Sequence, residues 1–389
     1  MEILGRWYKT GRVVRLRIEG DCVAEADEVE SGPELTDELP WLTPGFVDLQ
    51  INGYRGQEFS SDKLTLEKIA EIVEATSPMG VTQFLPTFTT HTTETLVFGL
   101  GLIDEACRQD AGLASRVAGI HLEGPFLSTE DGPRGAHPLA SCRRPNWDEF
   151  CRLQDAAGGR IRIHTVSPEY EEAFDFIRKV ADSGVIVSLG HTAATPEQIR
   201  RAADAGATMS THLGNGSHAV LPRHRNYLWA QMADDRLTAG LIVDGHHLPP
   251  DVVKTIVRAK EPSRCVLVSD LSGFAGLAPG VYETELCDLE ILPTGKLVVA
   301  GQRELLAGAS LPIHVGIGNM MDFANVGLGT AIEMSSGRPR EILGMEPVRA
   351  EVGSRADFTL FQMGQNRETG RTQIDLQQTI VGGEMVWQA

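Results

Sequence analysis

Residues 185–213 read VIVSLGHTAATPEQIRRAADAGATMSTHL. VIVSLGH (185–191) is a short apolar run rich in β-branched residues, and ATMSTHL (207–213) is a second strand candidate. Between them, Thr195-Pro196-Glu197-Gln198 has the form of a helix start: threonine at the N-cap, proline at the first helical position and glutamine at the third, as in a capping box. Strand, helix and second strand make one β/α unit of a parallel sheet. A histidine stands at or near the end of each strand, His191 and His212.

The same alternation extends both ways. Further strands are expected at 45–51, 80–86, 117–123, 160–166, 238–243 and 265–270, which brings the count to eight. Leu66, Ile69, Ile72 and Val73 are spaced to lie on one face of an intervening helix. Eight units over 44–270 predict an α/β fold, a (β/α)8 TIM-like barrel, with a doubly wound open sheet as the alternative. The chain ends alternate apolar and polar residues instead and read as short antiparallel strands. Residues 1–43 and 346–389 are expected to form a small β-sandwich domain, and 44–345 the barrel, with a hairpin insertion near 281–300 turning at Pro293-Thr294-Gly295.

Composition narrows the function. The 389 residues hold 35 Lys+Arg and 53 Asp+Glu, a net charge of −18, which disfavours nucleic acid and anionic membranes as partners. An anionic substrate would need a local positive group. Over 191–231, Arg200, Arg201, Arg223 and Arg225 stand against Glu197 and Asp204, a local balance of +2. The six cysteines form no C-x-x-C, which argues against a disulfide framework or zinc ribbon. With no apolar h-region and no membrane-length apolar run, a cytoplasmic protein is expected.

In a barrel, chemistry sits where strands end. Gln50 and Asn52 end the first strand, Glu123 the third, His191 the fifth and Asp270 the eighth, with His212 near the end of the sixth. Taken singly, each of these reads more readily as a structural residue. Together, a carboxylate and two imidazoles from three strands are donors that zinc favours, with a fourth position left open. Asp270 is then the carboxylate placed to move protons. His121 projects to the same face as Glu123, two residues away, and suits either a supporting or a core role.

The segments PGFVDLQINGYRG (44–56), GIHLEGPFLSTEDGPRGAHP (119–138), SLGHTAATPEQIRRAADAGATMSTHLGNGS (188–217), LIVDGHHL (241–248) and VLVSD (266–270) follow one another as in the N-acetylglucosamine-6-phosphate deacetylases of the amidohydrolase superfamily. LAGASLP (306–312) and MSSGRPREILGM (334–345) resemble that family's C-terminal region. The resemblance covers nearly the whole chain. It implies metal-dependent hydrolysis of the acetamido group of an amino sugar, N-acetylglucosamine 6-phosphate first, by a cytoplasmic homodimer. By position, Glu123, His191 and His212 match the family's metal ligands and Asp270 its catalytic acid/base. His137 matches a histidine near the acetyl group and His247 one that contacts the sugar. Many amidohydrolases carry His-x-His on strand one, whereas Gln50-Ile51-Asn52 here matches the mononuclear deacetylases, so one divalent ion per subunit is expected. Zinc is the first choice; iron, manganese, cobalt or cadmium also suit the donors.

The substrate boxes depart from the family pattern. Its HLYNAM is His212-Leu213-Gly214-Asn215-Gly216-Ser217 here, which keeps Asn215 and Gly216 as sugar or phosphate contacts. No Glu-Pro-Gly follows, and Arg225, then Arg223, are the candidates for a phosphate. Another amide is therefore the competing substrate reading: an N-acyl amino acid, a cyclic amide or an unphosphorylated acetamido sugar. A non-catalytic binding barrel is the third reading, which the presence of all four chemical residues opposes.

Overall fold

The computed structural model describes residues 1–30, 32, 38–283 and 288–389. Eight parallel strands pair in sequence order: β1 (Phe46–Ile51), β2 (Val81–Thr89), β3 (Ile120–Glu123), β4 (Ile161–Val166), β5 (Ile186–Leu189), β6 (Ala207–Ser210), β7 (Thr238–Leu241) and β8 (Cys265–Leu267). The seam between β8 and β1 is joined just beyond the last strand by a parallel Ile51–Leu271 bridge. There Asp270 N donates to Gln50 O at 3.0 Å and Asn52 N to Leu271 O at 2.7 Å. Asp48, fully buried on β1, reinforces the seam by accepting from the backbone N–H groups of Gln50 and Ser269.

Period-two alternation sorts the side chains. Val47, Leu49, Leu85, Ile163, Met209 and Val266 form one apolar cluster filling the barrel. Phe46, Leu122, Val187, Leu189 and Leu267 belong to a larger cluster shared with the surrounding helices. Helix Leu66–Ala75 buries Ile69, Ile72 and Val73, the expected face. Helix Pro196–Asp204 opens with the expected capping box: Thr195 Oγ1 accepts from Gln198 N at 3.2 Å, and Thr195 N donates to Gln198 Oε1 at 2.7 Å. Such a cap contributes about 1 kcal/mol and sets where the chain turns after His191.

Both termini join one seven-stranded sheet that fits the small β-sandwich. Two details differ from the sequence reading. Trp41–Pro44 runs parallel to Glu2–Trp7, because it enters the sheet between the N-terminal strands and the antiparallel Phe358–Gln365. The insertion is a four-stranded antiparallel sheet, Gly280–Tyr282, Leu289–Ile291, Leu297–Val299 and Gln302–Leu306, of which the expected hairpin is the centre. The turn at 293–295 joins its middle strands; residues 284–287 lie outside the described ones. Three-residue strands bury little surface as a pair, so the flanking strands are recruited. Among the described residues no helix is long and apolar enough to cross a membrane.

His164 on β4 faces away from the barrel interior, among the rings of Phe126, Phe150 and Phe176. Its Nδ1 lies 3.1 Å from the Leu122 carbonyl, and burial pushes its pKa down to about 3. Unfolded, a histidine takes its proton near pH 6.5. Protonation therefore favours the unfolded chain, and stability held above about pH 6.5 is lost as pH falls. A His164→Phe variant is expected to show a shallower fall of melting temperature between pH 7 and 5 than the parent; an equal slope contradicts this.

Candidate active site

Three buried donors from three strands meet at the barrel mouth. His212 Nε2 lies 3.0 Å from Glu123 Oε1, His191 Nε2 3.3 Å from the same oxygen, and the two Nε2 atoms are 3.1 Å apart. A tetrahedral ion with bonds of about 2.0–2.2 Å keeps its ligand atoms roughly 3.3–3.6 Å apart, so this trio fits one with little movement. Among the described residues this is the one His/Cys/Asp/Glu group arranged to hold a metal. The tautomer agrees for His191, whose Nδ1 lies 2.8 Å from the Pro133 carbonyl. A carbonyl only accepts, so Nδ1 holds the proton and Nε2 the lone pair. Burial alone would raise the Glu123 carboxyl, but the two imidazoles of His191 and His212 against it hold it well below the usual range.

The backbone aims these groups. Six non-glycine residues among those described have positive φ, and His191 (48°), His212 (26°) and Asp270 (55°) are three of them. Each such residue costs on the order of 1–3 kcal/mol, strain that the surrounding packing must hold. Gly216, at φ 56°, lets its loop lie against His191: a Cβ there would stand 2.7 Å from Nδ1.

Asp270 shares the amide of Gln50 with the cluster. Gln50 Nε2 donates to Glu123 Oε1 at 3.0 Å and to Asp270 Oδ1 at 2.9 Å, and Asn52 Nδ2 donates to Asp270 Oδ1 at 2.8 Å. With Oδ1 so occupied, Oδ2 is the oxygen left to exchange a proton. Burial, then the negative charge of Glu123, raises the Asp270 carboxyl above its ordinary value. Gln50 and Asn52 are expected from the sequence at the end of strand one, in place of a His-x-His, with no donor role assigned; the structure makes Gln50 a donor to both carboxylates and Asn52 a donor to Asp270. Their signal is that two amides alternate on the strand-one face directed at the mouth.

His137 packs edge-on to His191, ring centroids 4.2 Å apart, and its Nδ1 accepts from Thr90 N at 3.4 Å. Burial holds it neutral, down to about 3, so its proton is on Nε2. His121 is likewise pushed down to about 4 by burial. His247 Nδ1 lies 2.7 Å from Asp244 Oδ2, while neighbouring His246 turns to the Thr294 carbonyl of the insertion. Asn215 donates to the His212 carbonyl through both its backbone and its side-chain nitrogen. Arg223 and Arg225 are not drawn into this group: both are exposed, and Arg225 pairs with Glu197 at 3.1 Å. The local positive group is largely matched by acids, with Arg200 on Glu197 and Arg201 on Glu171. Among the described residues the Arg223 side chain has no polar partner.

Gly216→Ala is expected to displace the His191 ring and weaken zinc binding by at least about tenfold, measured by competition with a chromogenic chelator; parental affinity contradicts the packing argument.

The Amidohydrolase family model matches residues 41–386. The chain is 32% identical over 361 residues to the N-acetylglucosamine-6-phosphate deacetylase of Homo sapiens, covering 90% of this chain and 84% of that one. It is also 32% identical over 360 residues to the N-acetylgalactosamine-6-phosphate deacetylase of Escherichia coli O157:H7, covering 90% and 91%. A mutant N-acetyl-D-glucosamine-6-phosphate deacetylase of Mycobacterium smegmatis, solved with N-acetyl-D-glucosamine-6-phosphate, superposes with a TM-score of 0.83 at 28% identity, covering 99% of each chain. The matching family model, the relatives and the site together place this chain in the N-acetylglucosamine-6-phosphate deacetylase family of the amidohydrolases.

Proposed function

We propose that this chain is a zinc-dependent deacetylase that hydrolyses the acetamido group of N-acetylglucosamine 6-phosphate, releasing acetate and the amino sugar phosphate. The observation that carries this reading is the Gln50 amide joining Asp270 to the Glu123–His191–His212 cluster. Glu123, His191 and His212 would hold the ion. Two imidazoles and a carboxylate suit zinc and leave a position open. One ion rather than two is supported by the Gln50 and Asn52 amides, which donate where a second cation would have to bind. When bound, such an ion makes water a usable nucleophile near neutral pH and polarises the carbonyl it faces.

The chain's own residues handle the protons. Asp270 Oδ2 accepts one from the attacking water as the new C–O bond forms, while Gln50 and Asn52 hold Oδ1 fixed. A raised carboxyl suits this shuttle, since it must both take and return the proton. Asp270 then protonates the nitrogen as the C–N bond breaks, giving acetate and amine. His137, neutral with its N–H at Nε2, would donate to the oxygen that gains charge. His247, oriented by Asp244, would contact the sugar together with Asn215 and the backbone at Gly216.

The phosphate falls to the Arg223–Arg225 loop. Arg223 is the freer cation, and Arg225 would have to exchange Glu197 for the ligand. Equal identity to relatives named for the gluco and galacto sugars makes N-acetylgalactosamine 6-phosphate the second reading.

Acetate release by the zinc-reconstituted chain tests this with N-acetylglucosamine 6-phosphate, its galacto epimer and unphosphorylated N-acetylglucosamine side by side. The gluco phosphate is expected to have the highest kcat/KM; a better galacto epimer selects the second reading, and turnover of neither phosphate overturns both. Asp270→Asn should keep its zinc and lose about 10²–10⁴-fold in kcat. Arg223→Ala should raise KM for the phosphorylated sugar with little change in kcat; an unchanged KM removes Arg223 from the site.

A further inference from the structure

Below the cluster, side chains from β3, β4, β5 and the residue just past β6 touch in series. His121 on β3, two residues before Glu123, has Nδ1 3.1 Å from the Leu49 carbonyl and Nε2 2.7 Å from Thr165 Oγ1 on β4. Thr165 Oγ1 lies 2.7 Å from Oγ1 of Thr211, which immediately precedes His212. Thr211 Oγ1 lies 2.6 Å from Ser188 Oγ on β5, three residues before His191. All four residues are buried.

The chain of hydrogen bonds can run in only one direction. A carbonyl only accepts, so His121 donates from Nδ1 to Leu49 O, and the neutral ring must accept at Nε2. Thr165 therefore donates its single hydroxyl proton to His121. Its oxygen accepts from Thr211, whose oxygen in turn accepts from Ser188. Every proton is used, and removing one hydroxyl leaves a buried neighbour without its partner.

Two of the ladders that hold the relay strands are irregular near the strand starts. The β3–β4 ladder shifts register between Ile161 and Ile163, and the β5–β6 ladder between Val187 and Ser188. His191 and His212 both stand past the last residues of their strands, at positive φ. Glu123 is fixed within its ladders, whereas His191 and His212 lie beyond the last ladder pair of β5 and β6, where side-chain contacts between strands add to their placement.

We propose that the His121–Thr165–Thr211–Ser188 relay is the positioning device for the metal ligands, setting the relative placement of Glu123, His191 and His212 although none of its own atoms reaches the ion. This rests on the reading of the cluster as the metal site. The relay's residues are positioning residues, and removing one hydroxyl should weaken metal affinity by about 10–100-fold, as loss of a supporting partner typically does.

The test uses the full chain stripped of metal, with zinc affinity read by chelator competition and thermal melting of the metal-free protein as control. Thr165→Val and Thr211→Val should lose affinity while melting within a few degrees of the parent, and Thr165→Ser and Thr211→Ser should restore it. Valine variants that bind zinc like the parent overturn the relay, as do serine variants as weak as the valine ones, because methyl packing would then be the cause. If a valine variant fails to fold, Ser188→Ala removes only the terminal donor, and parental affinity there also overturns the proposal. No zinc binding by the parent overturns the cluster reading and the relay with it.

Discussion

The approach of Glu123 Oε1 to the two Nε2 atoms of His191 and His212, 3.0–3.3 Å across a buried site, is the constraint on which the rest of the structure depends. A carboxylate so buried is costly unless positive charge and hydrogen bonds surround it. Three strands must end at matching heights to supply them, and the backbone turns through positive φ at His191, His212 and Asp270 where they do. The seam hydrogen bonds that bring β8 to β1 also carry Asp270 to Gln50. Barrel closure and the candidate site thus share the same contacts, since those that complete the sheet also bring Asp270, the carboxylate proposed to move protons, beside the cluster.

Chemistry and recognition occupy different parts of the molecule. The groups proposed for bond breaking stand at or just past strand ends, except His137 on the loop after β3, and are held by buried hydrogen bonds. Those proposed for the sugar phosphate stand on loops, where Arg225 is 80% exposed and already engaged by Glu197. A phosphate proposed for Arg225 would compete with that carboxylate, and Arg200 and Arg201 nearby are likewise paired with acids. Such competition disfavours loosely held anions and favours one that offers bidentate geometry.

The parts of this fold legible in sequence are those written in local physics. Short apolar runs alternating with helical segments marked all eight barrel strands, and the Thr195 capping box marked a helix start to the residue. Glu123, His191 and His212 were legible because strand ends converge in a barrel. What escaped depends on distant partners. Nothing local in Gln50 says that its amide meets two carboxylates 73 and 220 residues away. Thr165, Ser188 and Thr211 look like ordinary polar strand residues until the barrel closes around them. Trp41–Pro44 alternates like its neighbours, and only its entry between strands from both chain ends makes it parallel to Glu2–Trp7.

The central claim is that one ion is held by three residues from three strands, with amides standing where a second would bind. A crystal structure of the zinc-loaded chain, with anomalous scattering recorded at the zinc edge, tests it most directly. The account predicts a single peak within bonding distance of Glu123 Oε1, His191 Nε2 and His212 Nε2, and none beside Gln50 and Asn52. A second peak at those amides, or a single peak bound elsewhere, would contradict it.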